Sequence, residues 1–192
     1  MQVIAGTARR LLLMTLPGTE TRPTSNQIKE TLFNILQPYV QGACFLDLFA
    51  GSGAIGIEAL SRGAREAVFV DNSRKAGAVI RANLEHTHLA DRAQVLECDV
   101  FAALRRLAGS GKCFDIVFID PPYDQNLYET VFRQLAESPF IGEDTLLIAE
   151  ARRQEDFSFL EKQGFVLTRE KLYKNNKHVF VKKASADAEK EQ

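Results

Sequence analysis

The stretch CFLDLFAGSGAIGIEALSRG, Cys44 to Gly63, sets the frame for the chain. It opens on a short apolar run (44–49) with strand character, passes through a glycine turn, and continues as an apolar helix over 53–63. Gly63 is placed to stop that helix. Gly51, Gly53 and Gly56 satisfy the spacing G-x-G-x-x-G. Glycines there let the backbone turn sharply and approach a ligand, which then faces the amino end of the helix. Strand, glycine turn and helix in that order predict a cofactor containing adenosine, without saying which one.

The same unit repeats outward from this stretch. Strands are predicted at 66–71, 93–99, 114–120 and 144–150. Helices are expected for about 15 residues from Ser73, then to about Leu107, over 127–138 and over 157–164. Such alternation implies parallel strands with helices on both faces. The ending differs: 165–173 and 177–183 read as two strands joined by Lys174-Asn175-Asn176, a hairpin that makes the last strand antiparallel to the rest. The expected fold is α/β and Rossmann-like, a mostly parallel seven-stranded sheet with a C-terminal antiparallel hairpin. Residues 1–23 read as a small N-terminal β-hairpin extension. A helix follows, with Thr24 and Gln27 as its capping box and Pro38 as its stop. The main domain is expected over 24–183, and the polar tail 184–192 to be disordered.

Composition narrows the classes. A chain of 192 residues with formal net charge −1 supports one sizeable core, and any nucleic-acid contact must come from local patches. Cys44, Cys98 and Cys113 are scattered beside apolar runs, so buried free thiols and no structural zinc are expected. His86 and His88 fit no zinc spacing and read as a solvated helix end. No signal peptide and no apolar run near 18 residues is present, which points to the cytoplasm.

Four aspartates close four consecutive predicted strands: Asp47, Asp71, Asp99 and Asp120. Asp71 is placed to hold both hydroxyls of a ribose. Asp47 lies four residues before Gly51, where a carboxylate would repel a pyrophosphate but suit the ammonium or sulfonium of S-adenosylmethionine. Asp99 is placed to accept from an adenine amino group. Each aspartate also has a plainer reading, as a helix N-cap following a strand. Phe49, Ala50 and Ser52 of the turn, and Asn72 and Val100 beside the acidic ends, complete the expected cofactor site.

The stretch FDIVFIDPPYDQ, Phe114 to Gln125, supplies the chemistry. An apolar strand runs into Asp120-Pro121-Pro122-Tyr123, and two prolines forbid any continuation of the ladder. A carboxylate, a stiff turn and an aromatic ring then sit at the carboxyl end of a strand, where open parallel sheets bind ligands.

Here the chain resembles a known family. DLFAGSGAIGIEALSRGA, the acidic end of VFVD, and FIDPPY are similar to class I S-adenosylmethionine-dependent methyltransferases acting on exocyclic amino groups of bases. IAG, RR and TRPTSNQIKETLFNIL together with these resemble the RsmD family, which methylates guanine N2 in 16S ribosomal RNA. The resemblance spans nearly the whole chain. Departures are Ser25-Asn26 in place of Thr-Asp, and Ala8-Arg9-Arg10 in place of a Gly-Arg-Lys-like run. The resemblance implies that Asp120 and the Pro121 carbonyl accept the two N–H groups of a base amine, leaving its lone pair free for the methyl carbon. Tyr123 would stack on an unpaired or flipped base, worth roughly 1–3 kcal/mol.

Two stretches are basic. Arg169–Lys183 has a net +5 and Met1–Glu30 a net +2. Arg9, Arg10, Arg22, Lys174 and Lys177 are therefore the expected RNA contacts, with a lysine-guarded edge strand as the plainer reading. The expected protein is a monomer acting on 16S rRNA within the small subunit or an assembly intermediate. A DNA adenine-N6 methyltransferase, a nucleotide-binding module and an NAD-binding protein are the other readings.

Overall fold

The computed structural model describes residues 1–16, 26–122 and 127–184. Seven strands form one sheet: β1 (Cys44–Leu48), β2 (Glu66–Asp71), β3 (Ala93–Glu97), β4 (Phe114–Ile119), β5 (Ile141–Arg152), β6 (Phe165–Leu172) and β7 (Asn176–Lys183). Their order is β3-β2-β1-β4-β5-β7-β6. The first five are parallel, and β7 runs antiparallel to both β5 and β6, as the sequence predicts. The strand order reverses between β1 and β4, the place where a crevice opens in sheets of this kind.

Five helices cover the sheet: α1 (Asn26–Val40), α2 (Ala54–Ser61), α3 (Arg74–His86), α4 (Val100–Ala108) and α5 (Leu127–Ala136). The period-2 alternation of the strands divides the core into two layers. Phe45, Phe69, Ile116, Phe118 and Ile148 pack with Leu36, Leu60 and Leu84 of α1, α2 and α3. Leu46, Val68, Val117 and Leu147 pack with Leu104, Leu107, Phe132 and Leu135 of α4 and α5. Strands buried on both faces are near-continuous in Val, Ile, Leu and Phe for this reason.

Three expectations need correction. Helix α1 runs through Pro38 to Val40. Leu36 and Val40 are both buried and hold the last turn on the core, and the chain turns at Gly42, whose φ is 77°. The helix expected over 157–164 is a single 3₁₀ turn, Glu161–Gln163. Phe157 and Phe159 both pack on Phe132, and residues two apart cannot share one face of a helix. Cys113 is exposed and Cys98 only half-buried, so Cys44 alone is a buried thiol. Its pKa is pushed up to about 12 by burial and by Glu66.

Among residues 1–16 the expected hairpin is a single antiparallel bridge, Gln2 with Leu12. The segment is fixed to the sheet's helical layer by a buried carboxylate. Glu58 of α2 accepts from the Ile4 and Ala5 amides at 2.8 and 3.1 Å. The same group pairs with Lys29 Nζ at 3.0 Å and Arg62 Nε at 2.8 Å. Lys29 in turn donates to the Gln2 carbonyl. Burial lowers the Lys29 pKa, while Glu58 opposes that shift. Gly6 completes the dock. A side chain there would lie 1.8 Å from the Ser61 carbonyl oxygen, and its φ is +83°. Thr24, the Thr24–Gln27 capping box and the tail beyond Ala184 lie outside the described residues.

Candidate active site

A cleft of about 400 Å³ opens at the carboxyl ends of β1 to β5. Its floor is the turn after β1. Phe49 and Gly51 both take positive φ, 66° and 56°, and Gly53 follows at 77°. A phenylalanine held there is strained backbone beside a cleft. Asp71 organises the turn from the neighbouring strand. Its Oδ2 accepts from the Gly51 amide and its Oδ1 from the Ser73 amide, both at 2.9 Å. The carboxylate is thereby held rigidly at the cleft wall.

Asp47 takes a different part. Only 2 % exposed, it does not line the cleft. Its Oδ2 accepts from the Gly56 amide at 3.0 Å. Helix α2 begins after Gly53, which has no side chain to cap it. Asp47 supplies that cap from the strand, satisfying an amide of the first turn. Burial, and secondarily Asp71, raise its pKa to about 7. Gly56 lies against β2, where an added Cβ would be 2.3 Å from the Phe69 ring.

The remaining cofactor candidates divide. Phe49, Gly51, Asp71, Asn72, Asp99 and Val100 line the cleft. Ala50, Ser52 and Gly53 shape the turn without lining it. The Ala50 amide bonds the Val70 carbonyl, the Ser52 carbonyl accepts from Asn83 Nδ2, and Gly53 leads α2. Asp99 caps α4, accepting from the Ala102 amide at 2.9 Å, so its plain reading holds while it also faces the cleft.

Asp120, Pro121 and Pro122 form the opposite wall of the same cleft. Burial raises the Asp120 pKa well above the ordinary carboxylate value, helped by the charges of Glu150 and Asp47. Tyr123 lies outside the described residues. Glu150 and Cys98 also line the cleft and were not expected from the sequence. The signal for Glu150 was its place at the carboxyl end of a strand, one residue past Ala149, which pairs with Ile119.

The basic candidates are spread over the molecule. Arg9 and Arg10 are exposed on the turn whose Thr7 and Ala8 amides bond Ser61. Ser61 ends α2, and eight helical residues span roughly 12 Å, so this turn lies at the far end of α2 from the cleft. Lys174 is exposed in the β6–β7 turn. Because Glu150 pairs with His178, that turn projects past the cleft end of β5. Lys177 is 8 % exposed, pairs with Glu170 at 2.7 Å and lies over the Phe157 ring. Its ammonium is turned inward onto Glu170 and the Phe157 ring. Arg22 lies outside the described residues. Arg152 and Arg153, exposed just past Ala151, add positive charge on the cleft side that sequence reasoning passed over.

A seven-stranded sheet in this order, with β7 reversed and the cleft at the β1–β4 switch, is the architecture of the class I S-adenosylmethionine-dependent methyltransferases. Within that class the chain belongs to the RsmD family. The family model described as "Conserved hypothetical protein 95" matches residues 1–182. YlbH of Bacillus subtilis, named as a candidate rRNA methyltransferase, is 38% identical over 174 residues, covering 90% of this chain and 94% of its own. Ribosomal RNA small subunit methyltransferase D of Haemophilus influenzae is 31% identical over 182 residues, covering 91% and 94%. The solved structure of Escherichia coli YhhF, titled as a candidate methyltransferase, superposes with TM-score 0.80 at 32% identity, over 96% of this chain and 98% of that one. No helix among the described residues is long and apolar enough to cross a membrane.

Proposed function

We propose that the protein transfers a methyl group from S-adenosylmethionine to the exocyclic N2 amine of a guanine in 16S rRNA of the small ribosomal subunit. The observation that supports this best is the charge of the cleft. Among the described residues it is lined by four carboxylates, Asp71, Asp99, Asp120 and Glu150, and by no Lys, Arg or His. Such a lining repels a pyrophosphate and favours a cofactor bearing positive charge. The names of the relatives agree with methyl transfer to ribosomal RNA.

The residues fit the cofactor. Asp71, fixed by two backbone amides, suits the ribose hydroxyls, and Asp99 the adenine amine. When bound, S-adenosylmethionine supplies an electrophilic methyl on a sulfonium leaving group. The chain's own part is to position the amine. Asp120 accepts one amine N–H and the Pro121 carbonyl the other, so the nitrogen lone pair faces the methyl. Pro121 and Pro122 stiffen the turn that holds both acceptors. Tyr123 stacks on the flipped base. Lys174, on the cleft side, meets substrate phosphate, and Arg22 is a further substrate contact. Arg9 and Arg10 meet only a part of the RNA distant from the target base. The protein acts as a monomer.

Methyl transfer from labelled S-adenosylmethionine tests this, with unmodified small subunits, naked 16S RNA and unmethylated DNA as substrates and mass spectrometry of the product nucleoside. N2-methylguanosine is expected from the RNA or the subunit. N6-methyladenine from DNA would overturn the substrate while keeping the cofactor site.

A further inference from the structure

Beyond its charge, Glu150 is given no role above, yet its carboxylate is held on both oxygens at the cleft wall. Ile119 of β4 pairs with Ala149 of β5, so Asp120 and Glu150 project side by side from adjacent strands about 5 Å apart. Both line the cleft. Glu150 is 3 % exposed. Its Oε1 accepts from Asn176 Nδ2 at 2.7 Å, and its Oε2 faces His178 Nε2 at 3.1 Å. His178 is fully buried, edge-on to Phe118. Its Nδ1 lies 3.1 Å from the Tyr173 hydroxyl. With the ring proton on Nε2, Tyr173 donates to Nδ1 and His178 donates to Glu150, which satisfies the whole chain.

A buried carboxylate beside a second one is unfavourable, and a closed network of donors behind it fixes it as an acceptor facing the ligand. Two acceptors side by side match a ligand with two adjacent donors. Guanine has them: its 2-amino group and its N1–H are neighbours on one edge. Adenine and cytosine carry a lone pair beside their amines, which a carboxylate repels. We propose that Glu150 determines specificity by accepting the N1–H of guanine while Asp120 accepts from the N2 amine, with His178 and Asn176 as its positioning residues. This rests on the guanine-N2 reading. A carboxylate offers about four acceptor sites, so bonds to His178 and Asn176 are compatible with a third donor.

The test uses 2-aminopurine, which keeps the 2-amino group, carries a lone pair in place of N1–H and lacks O6. Small subunits are reconstituted with ligated 16S RNA carrying guanine or 2-aminopurine at the mapped target. The intact enzyme is expected to favour guanine by about ten- to hundred-fold in kcat/KM, the discrimination a lost base-edge contact gives. Glu150→Gln, whose amide can donate to a ring nitrogen, is expected to narrow that ratio, both bases being compared at saturating cofactor. Equal rates for the two bases with the intact enzyme overturn the role of Glu150 and leave the activity standing. A ratio unchanged in Glu150→Gln overturns it too. No transfer to guanine in any substrate overturns the activity itself. Equal rates with the intact enzyme need no variant and overturn the role of Glu150 even where Glu150→Gln fails to fold.

Discussion

Asp47 Oδ2 accepts from the Gly56 amide at 3.0 Å, so the first turn of α2 is capped by a carboxylate reaching from β1 rather than by its own N-cap residue, Gly53. The glycine gives the turn its left-handed conformation, and the strand returns the missing acceptor. The arrangement leaves a carboxylate buried under the cofactor turn, with its pKa raised to about 7 by burial.

That shift sets a pH dependence. The folded-state pKa lies above the unfolded value of about 4, so Asp47 favours the folded state most at low pH. This contribution is lost as pH rises from about 4 to 7. Asp47→Asn keeps an acceptor for Gly56 and removes the titration. Thermal unfolding at pH 5 and pH 8 is expected to show a smaller loss of Tm in the variant. The difference read between those two pH values is about 3 kcal/mol, since the contribution is lost only between pH 5 and about 7. A dependence as steep as in the unaltered protein would mean that Asp47 is not the group responsible.

Asp47 also shows where the sequence was legible and where it was not. The succession of strands and helices, the antiparallel β7 and the acidic strand ends follow from apolar runs, glycines and a hairpin turn, all local in sequence. Which way a strand-end aspartate points is not local. Asp71 and Asp99 reach the cleft, whereas Asp47, one residue before the end of β1, turns beneath it. Glu150 needed the pairing of β4, β5 and β7 to become visible as part of the site. Lys177 reads as one charge among many, yet Glu170, seven residues earlier in the chain, holds it inward across the hairpin.

The rate of methyl transfer carries its own pH signature. Asp120 accepts an amine N–H most strongly when ionised, and burial, with Glu150 beside it, raises its pKa. The acid limb of the kcat/KM profile is therefore expected above the ordinary carboxylate range. Glu150→Gln removes the neighbouring charge and moves that limb to lower pH. Asp120→Asn abolishes the limb and most of the rate at saturating cofactor. A limb that stays put in Glu150→Gln would show that the two carboxylates do not interact.

The N-terminal dock depends on Glu58. Glu58→Gln leaves Lys29 and Arg62 without their common partner and weakens two backbone contacts. Breaking a buried ion pair on one side costs about 3–5 kcal/mol, read by urea denaturation. Gly6→Ala separates the dock from the core. Its Cβ meets the Ser61 carbonyl, so early proteolytic cleavage within residues 1–16 is expected. Resistance equal to that of the unaltered protein would show that the segment is held elsewhere.

Lys174 and Lys177 sit three residues apart and are expected to respond oppositely. Lys177→Ala removes an ion pair with Glu170 and a cation over Phe157. It is expected to lower Tm and leave RNA affinity unchanged. Lys174 is exposed beyond the cleft end of β5. Lys174→Ala is expected to weaken RNA binding uniformly across sequences and reduce the salt slope by about one, the signature of a single phosphate contact. Binding titrations at several salt concentrations separate the two. If Lys177→Ala lowered the slope and Lys174→Ala did not, RNA would have to approach across the face of β6 and β7 rather than over the hairpin turn. The target base would then enter the cleft from the Glu150 side.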